Sequence, residues 1–228
     1  MKILALDAAT EACSVALQID DDVIHKFEVC PQQHSQKLLP FVDEVLAEAG
    51  LKLNQLDGLA FGQGPGSFTG VRIGVSITQG LAFGADLPVV GVSNLAMMAQ
   101  QAIIQENANL IATAIDARMS EIYLGIYKNE SGLATLVDTE RVSKPAAVGW
   151  PSLLDNEQVV AVGTGWQTYS EELSASLVAK PSDILLPSAE FMLPLAVAEF
   201  NAGHGLDAEF AQPNYVRDEV TWQKLPGR

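Results

Sequence analysis

Two kinds of residue in this chain could do chemistry: carboxylates that end strands, and a glycine-rich loop that opens a helix. Asp7 closes the apolar run Leu4-Ala5-Leu6, and Asp116 closes Thr113-Ala114-Ile115. Carboxylates at two strand ends could face each other across a cleft, or each could cap the turn that follows it. The loop is Gly62-Gln63-Gly64-Pro65-Gly66-Ser67-Phe68-Thr69-Gly70. Its glycines allow positive φ or close backbone approach. Ser67 and Thr69 are both suited to cap a helix N-terminus, and free N–H groups there attract an anion. The other reading of the loop is a strand-to-helix turn whose glycines serve packing. It lacks the Gly-Lys-Ser/Thr ending of a P-loop, and Arg72 is the basic residue nearest to it. The candidate phosphate-binding residues are therefore Asp7, Thr10, Gly64, Gly66, Ser67, Thr69 and Arg118.

Nucleophiles and metal ligands are poorly represented. Cys13 and Cys30 have no recognisable nucleophile context, so buried, reduced thiols are expected. Ser67 follows Gly66 directly and does not fit Gly-x-Ser-x-Gly. His25, His34 and His204 are not paired at a metal-binding spacing. No metal site and no catalytic residue are expected.

The elements that must position these residues follow from periodicity. Residues 2–7 read as a buried strand. Cys13, Val15, Leu17 and Ile19 alternate, then Val23, His25, Phe27 and Val29, with the acidic turn Asp20-Asp21-Asp22 between them. Leu38, Phe41, Val42, Val45, Leu46 and Ala49 form a helical stripe over 34–49, closed by Gly50. Strands at 56–61 and 87–92 flank a helix over 69–84, and a helix follows over 94–107. The helix 69–84 is apolar on two faces: Ile73, Ile77 and Leu81 on one, Val71, Val75 and Ala82 on another. Gly70 and Gly74 are four apart, as are Gly80 and Gly84, and each costs about 1 kcal/mol against alanine in a helix interior. Such a cost marks a close approach by another backbone. The uncharged run from Arg72 to Asp86 is too short for a membrane span, which needs about 20 residues.

The chain has 228 residues, 48% hydrophobic and 18% charged, the composition of a globular protein with a substantial core. Its net charge of −15, from 28 acidic and 13 basic residues, repels a phosphate backbone. Tight binding of nucleic acid by this chain alone is not expected. The N-terminus is charged too early for a signal peptide, so a cytoplasmic location is expected, with no membrane association.

The opening then repeats. Leu4-Ala5-Leu6-Asp7-Ala8 matches Thr113-Ala114-Ile115-Asp116-Ala117, and alternating strands follow each, at 13–19 and 122–127. A third strand over 134–142, a strand over 159–162, the loop Gly163-Thr164-Gly165, a helix over 168–177 and a helix over 190–202 complete the second half. Two halves are expected, 1–107 and 108–228, with a C-terminal arm from Pro213 and a last helix that could pack back on the first half. The pattern resembles the duplicated α/β fold of actin, sugar kinases and heat-shock ATPases, which bind nucleotide between their halves through an Asp-x-Gly-Thr turn. Here that turn is Asp7-Ala8-Ala9-Thr10; Ala9 in place of glycine counts against an efficient ATPase.

Gly64-Pro65-Gly66-Ser67-Phe68-Thr69-Gly70-Val71-Arg72-Ile73-Gly74, the strand-one turn, Asp116-Ala117-Arg118-Met119 and Tyr215-Val216-Arg217-Asp218-Glu219-Val220-Thr221-Trp222 together resemble one family over essentially the whole chain. It is the bacterial TsaB (YeaZ) family of tRNA threonylcarbamoyladenosine biosynthesis. The resemblance implies a non-catalytic scaffold and dimerisation subunit, not an enzyme. Its implied partners are the catalytic paralogue TsaD, which transfers threonylcarbamoyl to the adenosine beside the anticodon, and the ATPase TsaE. It implies contact with tRNA only through the complex, a homodimer when alone, and no cofactor of its own beyond ATP or ADP at a joint interface. The catalytic paralogue carries paired histidines where Asn94 and Met98 stand here, and neither suits a catalytic metal. A nucleotide-dependent kinase or ATPase of the same fold is the alternative, and a peptidase the weakest reading. The expected partner surface is Leu38, Phe41, Val42 and Val45 with Gly70, Val71, Arg72, Gly74 and Val75.

Overall fold

The computed structural model describes residues 1–155 and 157–216. The expected arm and the motif ending at Trp222 lie outside the described residues beyond Val216. Strands β1 (Lys2–Asp7), β2 (Ala12–Ile19) and β3 (Asp22–Val29) form an antiparallel meander, with Leu4 opposite Leu17 and Ser14 opposite Phe27. β4 (Gly58–Gly62) and β5 (Val89–Val92) then add in parallel, giving the order β3-β2-β1-β4-β5. The second sheet repeats this plan with β6 (Leu110–Asp116), β7 (Ile122–Glu130), β8 (Leu133–Leu136), β10 (Val159–Val162) and β11 (Ala179–Pro181) in the order β11-β10-β6-β7-β8. Each sheet has an antiparallel meander on one side of its first strand and parallel strands on the other. This is the duplicated α/β fold of actin and the sugar kinases.

Two second-half expectations change. The single strand over 134–142 is two short pieces, β8 and β9 (Arg141–Ser143), which both pair with β7. Between them the chain leaves the sheet so that Glu140 reaches inward, as described below. The helix over 168–177 is replaced by α4 (Thr164–Thr168) and α5 (Ser170–Ser174), broken at Tyr169 with φ −122° and ψ 39°. Helix geometry therefore begins at once after Gly163, whose φ of 105° makes the turn.

The helices cross between halves. α1 (His34–Ala49) and α2 (Phe68–Ala85) cover one face of the first sheet, and Gly50 ends α1 at a left-handed φ of 65°. α3 (Asn94–Glu106) comes from the first half by chain order. It buries Leu95, Met98, Ala99 and Ala102 against Ile111, Ile115 and Val160 of the second sheet. The turn Ala189–Met192 and α6 (Leu193–Asn201) come from the second half and close the other face of the first sheet, packing Phe191 and Leu193 on Ile3 and Ala60. A cut at residue 107 would thus part α3 from the sheet it covers. Finally, 206–216 runs back across the first half: Leu206 bridges Val89, Ala208 and Ala211 enter the α2 core, and Asn214 N–H donates to Gln63 O at 2.7 Å. No helix of the described residues is long and apolar enough to cross a membrane.

Candidate functional site: a filled turn and an open helix face

Asp7 ends β1 fully buried, above Gly62, where a Cβ would stand 2.0 Å from its Oδ1. Asn94, the first residue of α3, donates its Nδ2–H to Asp7 Oδ1 at 2.6 Å and accepts Gly64 N–H at 2.9 Å. Ala9 N–H reaches Asp7 Oδ2 at 3.4 Å. Burial pushes the Asp7 carboxyl up from 3.8 to about 6, against the opposing pull of Asn94 and the Ala9 and Ala8 N–H groups.

The glycine loop lies directly on the strand-one turn. Ser67 N–H donates to Ala9 O at 2.6 Å, and Ser67 Oγ accepts Gly70 N–H at 3.4 Å as the α2 cap. A Cβ at Gly66 would meet Ala9 O at 2.3 Å, and one at Gly70 would meet Ala8 O at 2.1 Å. Gly74 also faces Ala8. Gly64 alone in this loop has positive φ, 103°.

The structure therefore brings Asp7, Gly64, Gly66, Ser67 and Gly70 together, but as a packed joint. The N–H groups of Gly64, Ser67 and Gly70 are each committed within the chain, and Thr10 is buried. Gly66 and Gly70 admit the backbone of Ala9 and Ala8, and Gly64 lies against Asn214 O. Thr69 is a helix residue facing solvent, while Ser67 is the cap. Arg118 stands apart on the exposed turn after β6, its N–H held by Asp116 Oδ1 at 2.9 Å. Asp116 also accepts from Tyr169 Oη at 3.4 Å, so it caps its turn.

The buried Cys13 thiol is pushed up to about 12, by burial first and then by Cys30, which leaves it protonated and unreactive. No group of three or more metal-ligating side chains occurs among the described residues. Asn94 and Met98 are both buried.

Most of the expected partner surface lies in the core. Leu38, Phe41, Val42, Val45, Val71 and Val75 all belong to the core of the first half, Ala8 O fills the space at Gly70, and Gly74 faces Ala8 at ordinary contact distance. Arg72 alone of that set is partly exposed; its guanidinium lies 3.2 Å from the Phe68 ring centroid and 5.3 Å from that of Tyr215. The outer side of α2 carries Ile73, Ile77 and Leu81, partly buried and still packed against the first-half core, with Phe83 81% exposed. Gly80 and Gly84 lie on it, and a Cβ at either would meet nothing within 4 Å. Among the described residues, those two glycines serve no close contact.

One contact had no sequence signal. Ser93 caps α3, accepting Leu95 N–H at 3.1 Å and Ala96 N–H at 3.4 Å, and its hydroxyl donates to Glu140 Oε1. The buried Tyr127 hydroxyl donates to the same oxygen. Burial, and then Glu140, hold Tyr127 well above the ordinary tyrosine range. The second half thereby fixes the N-terminus of the helix that bears Asn94.

The profile of the family described as TsaD, tRNA N6-adenosine threonylcarbamoyltransferase, matches residues 26–222. The tRNA threonylcarbamoyladenosine biosynthesis protein TsaB of Escherichia coli is 47% identical over 230 residues, covering 100% of both chains. That of Haemophilus influenzae is 46% identical, covering 100% of this chain and 98% of its own. The solved structure of YeaZ from Pseudomonas aeruginosa superposes with a TM-score of 0.89 at 45% identity, covering 94% of this chain and 99% of that one. The chain belongs to the TsaB (YeaZ) family of tRNA threonylcarbamoyladenosine biosynthesis proteins.

Proposed function

We propose that this chain is a non-catalytic cytoplasmic subunit that docks and activates the catalytic relative TsaD, with the ATPase TsaE completing the assembly. Threonylcarbamoyl transfer to the adenosine beside the anticodon then takes place on TsaD, and tRNA is held through the complex. The observation that carries this reading is the open pair Gly80 and Gly84 beside Ile73, Ile77 and Phe83. An interior helix glycine such as Gly80 costs about 1 kcal/mol. Among the described residues that cost answers no contact, whereas a helix of another chain can approach closely there. Without TsaD, two copies use the same face in an isologous contact. The filled strand-one turn supports the non-catalytic role, and any ATP or ADP sits at a joint surface with the partners.

Reconstitution tests the proposal. TsaD, TsaE and tRNA, supplied with ATP and an activated threonylcarbamoyl donor, should yield modified tRNA only when this chain is added, and this chain with tRNA and the donor should yield none. ATP turnover by the purified chain alone, at about one per second, would instead favour a kinase or ATPase.

A further inference from the structure

The edge of the first sheet carries a second surface. β3 ends the strand order, with β2 on one side and no strand on the other among the described residues. Val23, His25, Phe27 and Val29 share one of its faces, and the three apolar residues are 43, 44 and 56% exposed. An unpaired edge with apolar side chains is a template for another strand. Natural edges are commonly blunted by outward lysine, proline or a bulge. Here Lys26 and Glu28 lie on the α1 side, with Lys26 Nζ 3.4 Å from Glu44 and Glu28 3.0 Å from Lys37.

We propose that β3 pairs antiparallel with β3 of a second copy, about a two-fold axis at Phe27. The register follows from charge. Opposite residues share a face, and like charges placed opposite destabilise. Four axes overlap more than half of the strand with the apolar residues of both copies on one side. An axis at His25 sets Asp22 against Glu28. One at Lys26 sets Lys26 against itself. One at Ile24 pairs Asp22 with Lys26 but carries Phe27 and Glu28 onto Asp21 and Asp20. The axis at Phe27 sets Lys26 against Glu28 twice, Phe27 against Phe27, and His25 against Val29. It joins the two apolar stripes into one. The contact is short, so the association is weak. The charge of −15 on each copy opposes it, and salt strengthens it by screening.

This surface is separate from the α2 face and does not depend on the function proposed above. The test uses the full chain with Phe27→Cys, Cys13 and Cys30 being buried, equilibrated with oxidised and reduced glutathione. Phe27→Cys should give at least tenfold more covalent dimer than His25→Cys or Val23→Cys. Adding Lys26→Glu should abolish the dimer, and Lys26→Glu with Glu28→Lys should restore it. Phe83→Glu should leave it unchanged. Sedimentation of the Phe83→Glu chain with native Phe27, in which the α2 contact is removed, with and without the charge reversals, supplies the same comparison should Phe27→Cys melt early. Equal or absent cross-linking at 23, 25 and 27, charge reversal without effect, or loss of the dimer with Phe83→Glu would each overturn the proposal.

Discussion

Asn94 and Asp7 meet side chain to side chain at 2.6 Å, joining the start of α3 to the end of β1 in a fully buried site. With its other amide atom Asn94 takes the Gly64 N–H, so one residue closes the turn and the glycine loop together.

The first prediction is a pH dependence. Asp7 is raised in the folded chain from 3.8 to about 6. Between those values the unfolded chain has released a proton that the folded chain keeps. Stability from this group is therefore full below about pH 4 and falls as pH rises to about 6, by about 3 kcal/mol in all. Asp7→Asn removes that dependence. Subtracting its denaturation free energy from that of the wild type across pH 4–7 should show the variant gaining with pH. A flat difference would mean that Asp7 ionises as it does in water.

The two glycine classes predict opposite signs. Gly66→Ala and Gly70→Ala drive a Cβ into the Ala9 and Ala8 carbonyls, which backbone holds in place, and should cost about 1–3 kcal/mol. Gly80→Ala meets open space and should stabilise the isolated chain by about 1 kcal/mol. Thermal melting of the three variants checks this; a Gly80→Ala that destabilises would show that its Cβ is not in the open.

Glu140 and Ser93 should act as a pair. Ser93→Ala loses the α3 cap, at about 1 kcal/mol. Glu140→Ala strands the buried Tyr127 hydroxyl and should cost about 1–3 kcal/mol. The double variant should cost less than the sum. Hydrogen exchange at Gly64 should quicken in both, because Asn94 sits next to the loosened cap. Exchange unchanged at Gly64 would separate the two halves at this point.

Much of the architecture was legible in sequence because period and punctuation agree. The β1–β3 alternation, the α1 stripe ending at Gly50 and the Asp-Ala repeat each carry their own signal. The faces of α2 were not legible. Val71 and Val75 are as apolar as Ile73 and Ile77, so periodicity cannot say which pair meets the sheet. What decides is Ala8, a small residue far away in sequence whose carbonyl lies against Gly70 and whose backbone faces Gly74. Val75→Glu therefore buries an unpaired carboxylate and should unfold the chain, at about 3 kcal/mol or more. The role of Asn94 was visible only as an absent histidine, since its partners lie 87 and 30 residues away. The strand break before Glu140 serves a contact 47 residues distant, which no local pattern encodes.

The central claim is that the outward face of α2 receives the catalytic partner. Titration of TsaD with the wild-type chain and with Phe83→Glu tests it most directly, because Phe83 is 81% exposed and its replacement leaves the core untouched. The account predicts that Phe83→Glu melts like the wild type and binds about thirtyfold more weakly, a loss of about 2 kcal/mol. A folded Phe83→Glu that binds TsaD at wild-type strength would contradict it.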